Sequence, residues 1–589
     1  MLAFCPSIPL PKSLLIVLPG IALASWASFL PVNWFREPSW RTTLEELGVF
    51  TGDLVVIQTW LALESQLVFW ALAIAGVWLL TLRFSLKGTR SLALAFVVAV
   101  TFYALFSKLT QGQFELTHGR ETYGFFPNRN HTSNFLSVGF MVGIGAFFQS
   151  IRAKNFASIG IYLVCIALIL WALFSWNISR SGVLLCLIGI SLWVLGLGRR
   201  YFGRNEIRAF GLVFLLGVGV FFLNDFRVKE RLSETMDRLS GDQSEDAVGG
   251  SSQRQLSDFD FRVPIVKDSM GLLGDYGLTG VGAGQFRWIY PQYRKETIVL
   301  PEALILHPES SWLWLAAEWG VPAALGVLAV VIFFYYQGYR NIKKRGNRER
   351  ALRLGCLIAS ALVPLHSLFD VPGHRPTLFL VAIVLYVISQ NHEPDPTRGS
   401  SRVGSLAGRI GGGFVMLAGV FLVGSSWFGW GKPIAVAYEE ELAEGAALYE
   451  RIKKEESPMS PFKTLSMRKD LKNQTNATLE KVPLEGRLHR LRGLASLPMK
   501  AQQGAVAEAF AIDRALTPFS VRIPLIHAIA SLPYFELEVA RGWREAMERS
   551  RAIDSVRGDG AKLEESTWRR IEMSVRKNPR YLETASTVK

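Results

Sequence analysis

Apolar stretches with almost no charge recur between about residues 13 and 430, each ~17–25 residues long, the length of helix that crosses a ~30 Å hydrocarbon core. No other feature constrains the fold as strongly. It predicts spans at about 13–31, 67–84, 91–107, 133–150, 157–175, 181–198, 209–223, 311–337, 354–370, 376–390 and 409–430. Charged residues make up 19% of the 589, against roughly 25% in ordinary soluble proteins, and they gather in a few places. The expected fold is all-α: a polytopic helical membrane domain of about 11–12 transmembrane helices (1–430), with a soluble helical domain after it (431–589).

The formal charge of +15 fits this reading without a nucleic-acid partner, because excess Lys and Arg mark cytoplasmic loops of membrane proteins. Lys87 and Arg90 share one short loop, with Arg83 at its edge, and Arg152 and Lys154 share another. Arg199, Arg200, Arg204 and Arg208 fill a third, the basic run from Lys343 to Arg353 a fourth, and Arg398 and Arg402 a fifth. Counting helices puts all five on one side together with the N-terminus, and that side is expected to be cytoplasmic. The periplasmic side then receives Glu37 to Glu64, a long polar loop over 224–310 and everything after about Trp430. Segment 47–63 decides the count. Asp53 and its modest length suggest an interfacial helix, whereas a twelfth span there would invert every later loop. The first apolar stretch has only Lys12 ahead of it and no small-residue cleavage site, so it reads as a retained anchor.

Beyond about Gly431, Ala, Glu, Arg and Leu recur at helical spacing over 485–497, 502–516, 535–551 and 563–576, interrupted by Pro518, Pro524 and Pro533. Such paired helices suggest a TPR-like array, without a clean repeat period. Cys165, Cys186 and Cys356 fall inside apolar spans and Cys5 near the start, so neither a disulfide framework nor a metal spacing arises.

Four polar groups sit at helix ends on the expected periplasmic face. They are Asn128-Arg129-Asn130-His131, Ser179-Arg180-Ser181-Gly182, the loop with Arg262 and His307, and His366 to Asp370 followed by His374 and Arg375. Each has a plainer reading. Arginines near helix ends snorkel to headgroups. The run from Gly280 to Gly284, with Gly282 at its centre, reads as a tight turn, since no βαβ context supports a nucleotide loop. His366 and Asp370, spaced i, i+4 on one helix face, read either as a His–carboxylate pair or as a helix-end hydrogen bond. Together the groups suggest more. Arginines give permanently charged, bidentate contacts to phosphate oxygens, and a histidine accepts a proton near neutral pH. That combination suits transfer from a phosphate-activated lipid to an acceptor hydroxyl, and neither a metal nor a cofactor is expected for it.

The order of these motifs over about 100–390 resembles the O-antigen ligase/polymerase superfamily of bacterial inner-membrane glycosyltransferases. The carrying segments are GFFPNRNHTSNFL, ISRSG at 178–182, FRVPIVKDSMGLLGDYGLTGVGAGQF at 261–286, HPESSWLWLAAEWG at 307–320 and HSLFDVPGHRP at 366–376. The resemblance implies a periplasmic-face transfer of a glycan from undecaprenyl pyrophosphate to a glycan, lipid or protein acceptor. It implies Arg180 and Arg262, with Arg129, as pyrophosphate ligands and His307 as the catalytic residue. Asn128, Asn130, Gly282, His366, Asp370 and Arg375 are further site candidates. Many members have Asn after the histidine. Here Pro308 follows, expected to open the next helix, and Glu309 then competes with His307 as the base. A flippase that moves the glycan without forming a bond is the alternative, and it would normally carry acidic residues within its spans. The C-terminal helices are expected to act as a binding module, so that deleting 435–589 leaves transfer intact.

Overall fold

The computed structural model describes residues 12–82, 84–110, 124, 126, 128–176, 179–223, 262–297, 304–344, 349–390, 413, 417, 434–455, 464–497, 500–531 and 535–557. The chain is an all-α polytopic membrane protein, with no strand among the described residues. The membrane part contains α1 (Lys12–Ser25), α2 (Ser39–Glu46), α3 (Thr59–Thr81), α4 (Leu86–Leu109), α5 (Arg129–Arg152), α6 (Phe156–Trp171), α7 (Arg180–Leu197) and α8 (Arg204–Leu223). After the undescribed stretch come α9 (Arg262–Tyr276), α10 (Phe286–Ile289), α11 (Ser311–Trp319), α12 (Val321–Lys344), α13 (Arg350–His366) and α14 (Pro376–Gln390). The C-terminal part contains α15 (Ile434–Glu455), α16 (Leu465–Leu479), α17 (Gly486–Ser496), α18 (Gln503–Leu516), α19 (Arg522–Ser531) and α20 (Glu536–Arg557). Among the described residues, five helical stretches are long and apolar enough to cross a membrane unaided: Thr59–Leu80, Leu86–Leu109, Arg129–Arg152, Phe156–Trp176 and Val321–Lys343. The expected span at 409–430 and the expected helix at 563–576 lie outside the described residues, apart from Gly413 and Leu417.

α5 is the centre of the bundle, with most of its length buried against α4, α6, α7 and α13. Small residues allow that crowding. A Cβ on Gly145 would lie 2.8 Å from the Ala351 carbonyl oxygen, and one on Gly355 would lie 2.9 Å from that of Met141. α5 and α13 therefore touch backbone to backbone, the contact that small residues permit between membrane helices. The basic ends of the helices also gather. Arg152 pairs with Glu206 at 3.0 Å, Arg90 with Glu349 at 2.6 Å, and Arg353 donates to the Ser389 carbonyl at 2.8 Å. Arg152 closes α5 while Asn130 and His131 lie in its first turn, so this basic end is opposite the polar groups.

Three expectations are corrected. The stretch 311–337 is two helices, because Gly320 has φ +83° and Pro322, which lacks an N–H, stands in the first turn of the next helix. Segment 47–63 is not a helix of its own. Residues 47–58 are irregular backbone around the fully buried Arg41, and α3 starts at Thr59. Arg41 donates to Thr51 Oγ1 at 2.9 Å and to the Thr51 and Val55 carbonyls at 2.9 and 3.2 Å, which consumes hydrogen bonds a helix would need. Finally, His366 and Asp370 do not share a helix. α13 ends at His366, and the N–H groups of Leu368 and Phe369 turn back three residues to Leu365 and His366.

The glycine run is the tight turn expected of it. Gly280, Gly282 and Gly284 have φ of +68°, +100° and +72°. The Val281 and Gly282 N–H groups donate to the Ala317 and Glu318 carbonyls at 2.9 and 3.0 Å, and Val321 N–H donates to Gly277 O at 2.7 Å. This backbone seam joins the turn to the break between α11 and α12. Above it, the C-terminal helices share one core with the loop. Leu272, Tyr276, Phe286 and Trp288 pack in the same cluster as Tyr438, Leu479, Leu488 and Leu516.

Candidate functional site

Asn128 caps α5, its side chain accepting the Asn130 N–H at 2.8 Å. That cap fixes the first turn, which aims Asn130 and the fully buried His131 at Asp370. Asn130 Nδ2 donates to Asp370 Oδ2 at 2.8 Å, and His131 Nε2 lies 3.1 Å from Asp370 Oδ1. The Arg375 Nε–H donates to His131 Nδ1 at 3.4 Å. The tautomer protonated at Nε2 satisfies both contacts of the ring. Ser179, just ahead of α7, donates to Asn130 Oδ1 at 2.8 Å. Arg180 opens α7, and its side chain lies outside the described ones.

Arg262 enters from the first residue of α9. Its Nη1 donates to the Phe369 carbonyl at 2.9 Å, Nη2 lies 3.6 Å from Asp370 Oδ2, and Nε lies 3.5 Å from Glu309 Oε2. The other Glu309 oxygen is 3.4 Å from His307 Nδ1. Glu309 adopts φ +55°, a left-handed conformation that a non-glycine residue holds at a cost of order 1–3 kcal/mol. Pro308 does not start the helix as expected; Ser310 caps α11, accepting from Leu313 N–H at 3.4 Å, while Ser311 N–H donates to the Ser367 and Asp370 carbonyls, both at 3.0 Å. Those contacts hold the segment onto the 367–370 turn, and the carboxylate of the strained residue faces His307 Nδ1 and Arg262 Nε within ion-pair range, without a hydrogen bond to either atom.

Asp370 is the hub. Burial pushes its carboxyl up, but the His131 hydrogen bond, the neighbouring imidazoles and the Val371 N–H outweigh this and hold it well below the usual carboxylate range. His307 moves the other way. Burial pushes it down to about 4, and Arg375, His131 and Arg262 reinforce that against Asp370. Its imidazole is therefore uncharged at neutral pH.

The four polar groups converge at this end of the bundle. His366, whose Nε2 is 3.7 Å from Asp370 Oδ2, belongs to the cluster by proximity and not by hydrogen bond. Arg129 is half-buried one residue before Asn130. Gly282 stands elsewhere, in the turn that packs on Val56 and α11. Sequence reasoning passed over His131, Ser179 and the Phe369 carbonyl. His131 stood in a motif already singled out, and only its burial reveals it as the partner of Asp370.

Residues 164–328 match the O-antigen ligase family. That stretch is similar to the O-antigen ligase domain. No curated protein matches the chain. The domain supports the superfamily reading and glycan transfer of the O-antigen ligase kind, by a multi-pass protein of the bacterial inner membrane. Its matched stretch contains Arg180, Arg262, Gly282, His307 and Glu309, while the Asn130–His131 and Asp370–Arg375 parts of the candidate site lie on either side of it.

Proposed function

We propose that the chain transfers a glycan from an undecaprenyl-pyrophosphate donor to an acceptor hydroxyl on the periplasmic face, with His307 and Glu309 acting as a dyad. The supporting observation is the His307–Glu309–Arg262 arrangement, in which one carboxylate bridges an uncharged imidazole and a guanidinium. His307 takes the acceptor proton at Nε2, and Glu309, whose carboxylate lies 3.4 Å from Nδ1, stabilises by its charge the imidazolium that forms. The acceptor oxygen attacks the anomeric carbon as the bond from that carbon to the pyrophosphate oxygen breaks. The electron pair leaves with the pyrophosphate, and the anomeric centre inverts. Arg262 and Arg375, joined by Arg129 and Arg180, bind the leaving group through charge-assisted hydrogen bonds. On this reading His307 is the base, and Glu309 is its electrostatic partner.

The test is reconstitution in proteoliposomes with the lipid-linked glycan. His307→Ala is expected to lower turnover ~10²–10⁴-fold, the range for removing a general base. Arg262→Ala is expected to cost ~10²–10³-fold, as for loss of one donor to developing negative charge. Full activity in both variants would end the mechanism.

A further inference from the structure

α9 carries Arg262 at its first residue and an apolar stripe along one side. Val263, Val266 and Met270 are 47%, 37% and 59% exposed, and their spacing of three, four and seven residues puts them on one helical face. The stripe is not the face that packs on the protein. Ile265, Leu272 and Tyr276 are buried on another side, and Asp268 there accepts the Lys295 and Glu296 N–H groups at 3.1 and 2.9 Å. Lys267, Gly271 and Asp275 occupy the remaining arc, all exposed. The helix thus has three sectors: packed, polar and unpartnered apolar.

The two ends of α9 show what covers the stripe. At its start Arg262 donates to Phe369, in the turn directly after α13. Just past its end, Gly277 accepts the Val321 N–H that opens α12, one of the five stretches apolar enough to span a membrane. A helix of 15 residues, about 22 Å long, is therefore tied at both ends to the ends of bundle helices on one side of the molecule. Leu306 and Leu368, 48% and 60% exposed, extend the apolar surface beside its Arg262 end.

We propose that α9 is a membrane-surface helix whose Val263–Val266–Met270 stripe is immersed in the outer leaflet, holding Arg262 at the depth of lipid phosphates. Burial in the interface comes from apolar area on one face of the helix, while its polar arc stays in water. A substrate phosphate carried on a lipid then meets Arg262 by lateral diffusion, without leaving the leaflet. This rests on the membrane reading of the chain and not on the transfer reaction.

The experiment places a fluorophore on the stripe. Met270→Cys and, as control on the polar arc, Gly271→Cys are made in a Cys5→Ala background and labelled with bimane. Cys165, Cys186 and Cys356 are buried and stay unlabelled in the folded protein, and a Cβ at position 271 has room, its nearest neighbour being 3.8 Å away. The proteins are reconstituted in phosphatidylethanolamine–phosphatidylglycerol vesicles. Quenching by nitroxide-labelled lipid is expected to be several-fold stronger at position 270 than at 271, and quenching by iodide several-fold weaker. Equal quenching at both positions overturns the proposal. So does shielding of position 270 from both quenchers, which would put a protein over the stripe. If Met270→Cys does not give a monodisperse protein, Val263→Cys on the same face takes its place with the same criteria. Inactive variants still report depth, so a failed transfer assay leaves this result standing.

Discussion

Glu309 contacts two groups of opposite use, the imidazole that is to accept a proton and the guanidinium that is to hold an anion. A bound pyrophosphate offers Arg262 a second, more highly charged partner, which leaves Glu309 to His307. Because burial holds His307 down to about 4, the uncharged form needed of a base persists across neutral pH. The sign follows directly. The group works when unprotonated, so activity is retained above that value and lost as pH falls through it. The profile of kcat/KM, which reports the free enzyme, is expected to stay level from pH 8 to 6 and to fall with an acid limb centred near pH 4. A limb near the ordinary imidazole value of ~6.5 would mean that His307 is not the titrating base. At this scale the sequence displayed the residue types and their order, since arginines, histidines and carboxylates are scarce near spans and conspicuous. It could not display the Glu309 backbone conformation, which depends on Ser310 and Ser311 being tied to the 367–370 turn far along the chain.

The seam between the glycine turn and the α11–α12 break sets where the loop sits on the bundle. A Cβ on Gly280 would lie 2.3 Å from the Glu318 carbonyl oxygen, and one on Gly320 would lie 2.5 Å from that of Leu278. Both positions also have positive φ. Gly280→Ala therefore meets a backbone atom that cannot swing aside as well as an unfavourable conformation. Each substitution is expected to destabilise the protein by about 1–3 kcal/mol or more, read as a lower thermal midpoint in detergent or nanodiscs. The double variant should cost less than the sum, because both changes open the same contact. An unchanged midpoint in Gly280→Ala would remove the seam from the argument. Hydropathy alone had merged α11 and α12, because the apolar character runs on through Gly320-Val321-Pro322 without a charge. The break is written in the Gly and Pro and in the carbonyls they serve. Segment 47–58 was obscured for a related reason: its apolar residues look helical, yet its backbone is committed to Arg41.

Across the whole molecule the loop and the C-terminal helices behave as one packed body. Arg287 lies 4.0 Å over the Trp288 ring and reaches Glu439 on α15 at 3.3 Å, Gln292 donates to the Ala515 carbonyl at 2.9 Å, and Arg294 lies over Phe519 at 4.0 Å. From this shared core we propose, against the expectation that deleting 435–589 leaves transfer intact, that the membrane part needs the tail. Ending the chain before Ile434 would uncover Tyr276, Phe286 and Trp288, and full burial of such side chains is worth roughly 1.5–3 kcal/mol each. The truncated protein is expected to lose transfer as well as stability, whereas full transfer in proteoliposomes would restore the view of the tail as a separate module. Helical periodicity had found α17, α18 and α20 to within a few residues, apart from a longer α20 end, because each carries its own amphipathic pattern. It gave no hint of where they dock, since docking depends on loop residues far earlier in the chain, such as Tyr276, which shares a core with Tyr438 of α15. That separation has a consequence during synthesis. At ~5–20 residues per second, the ribosome finishes the loop about ten seconds or more before it makes the helices that cover it. Over that interval the growing protein presents an unfinished, sticky surface to its surroundings.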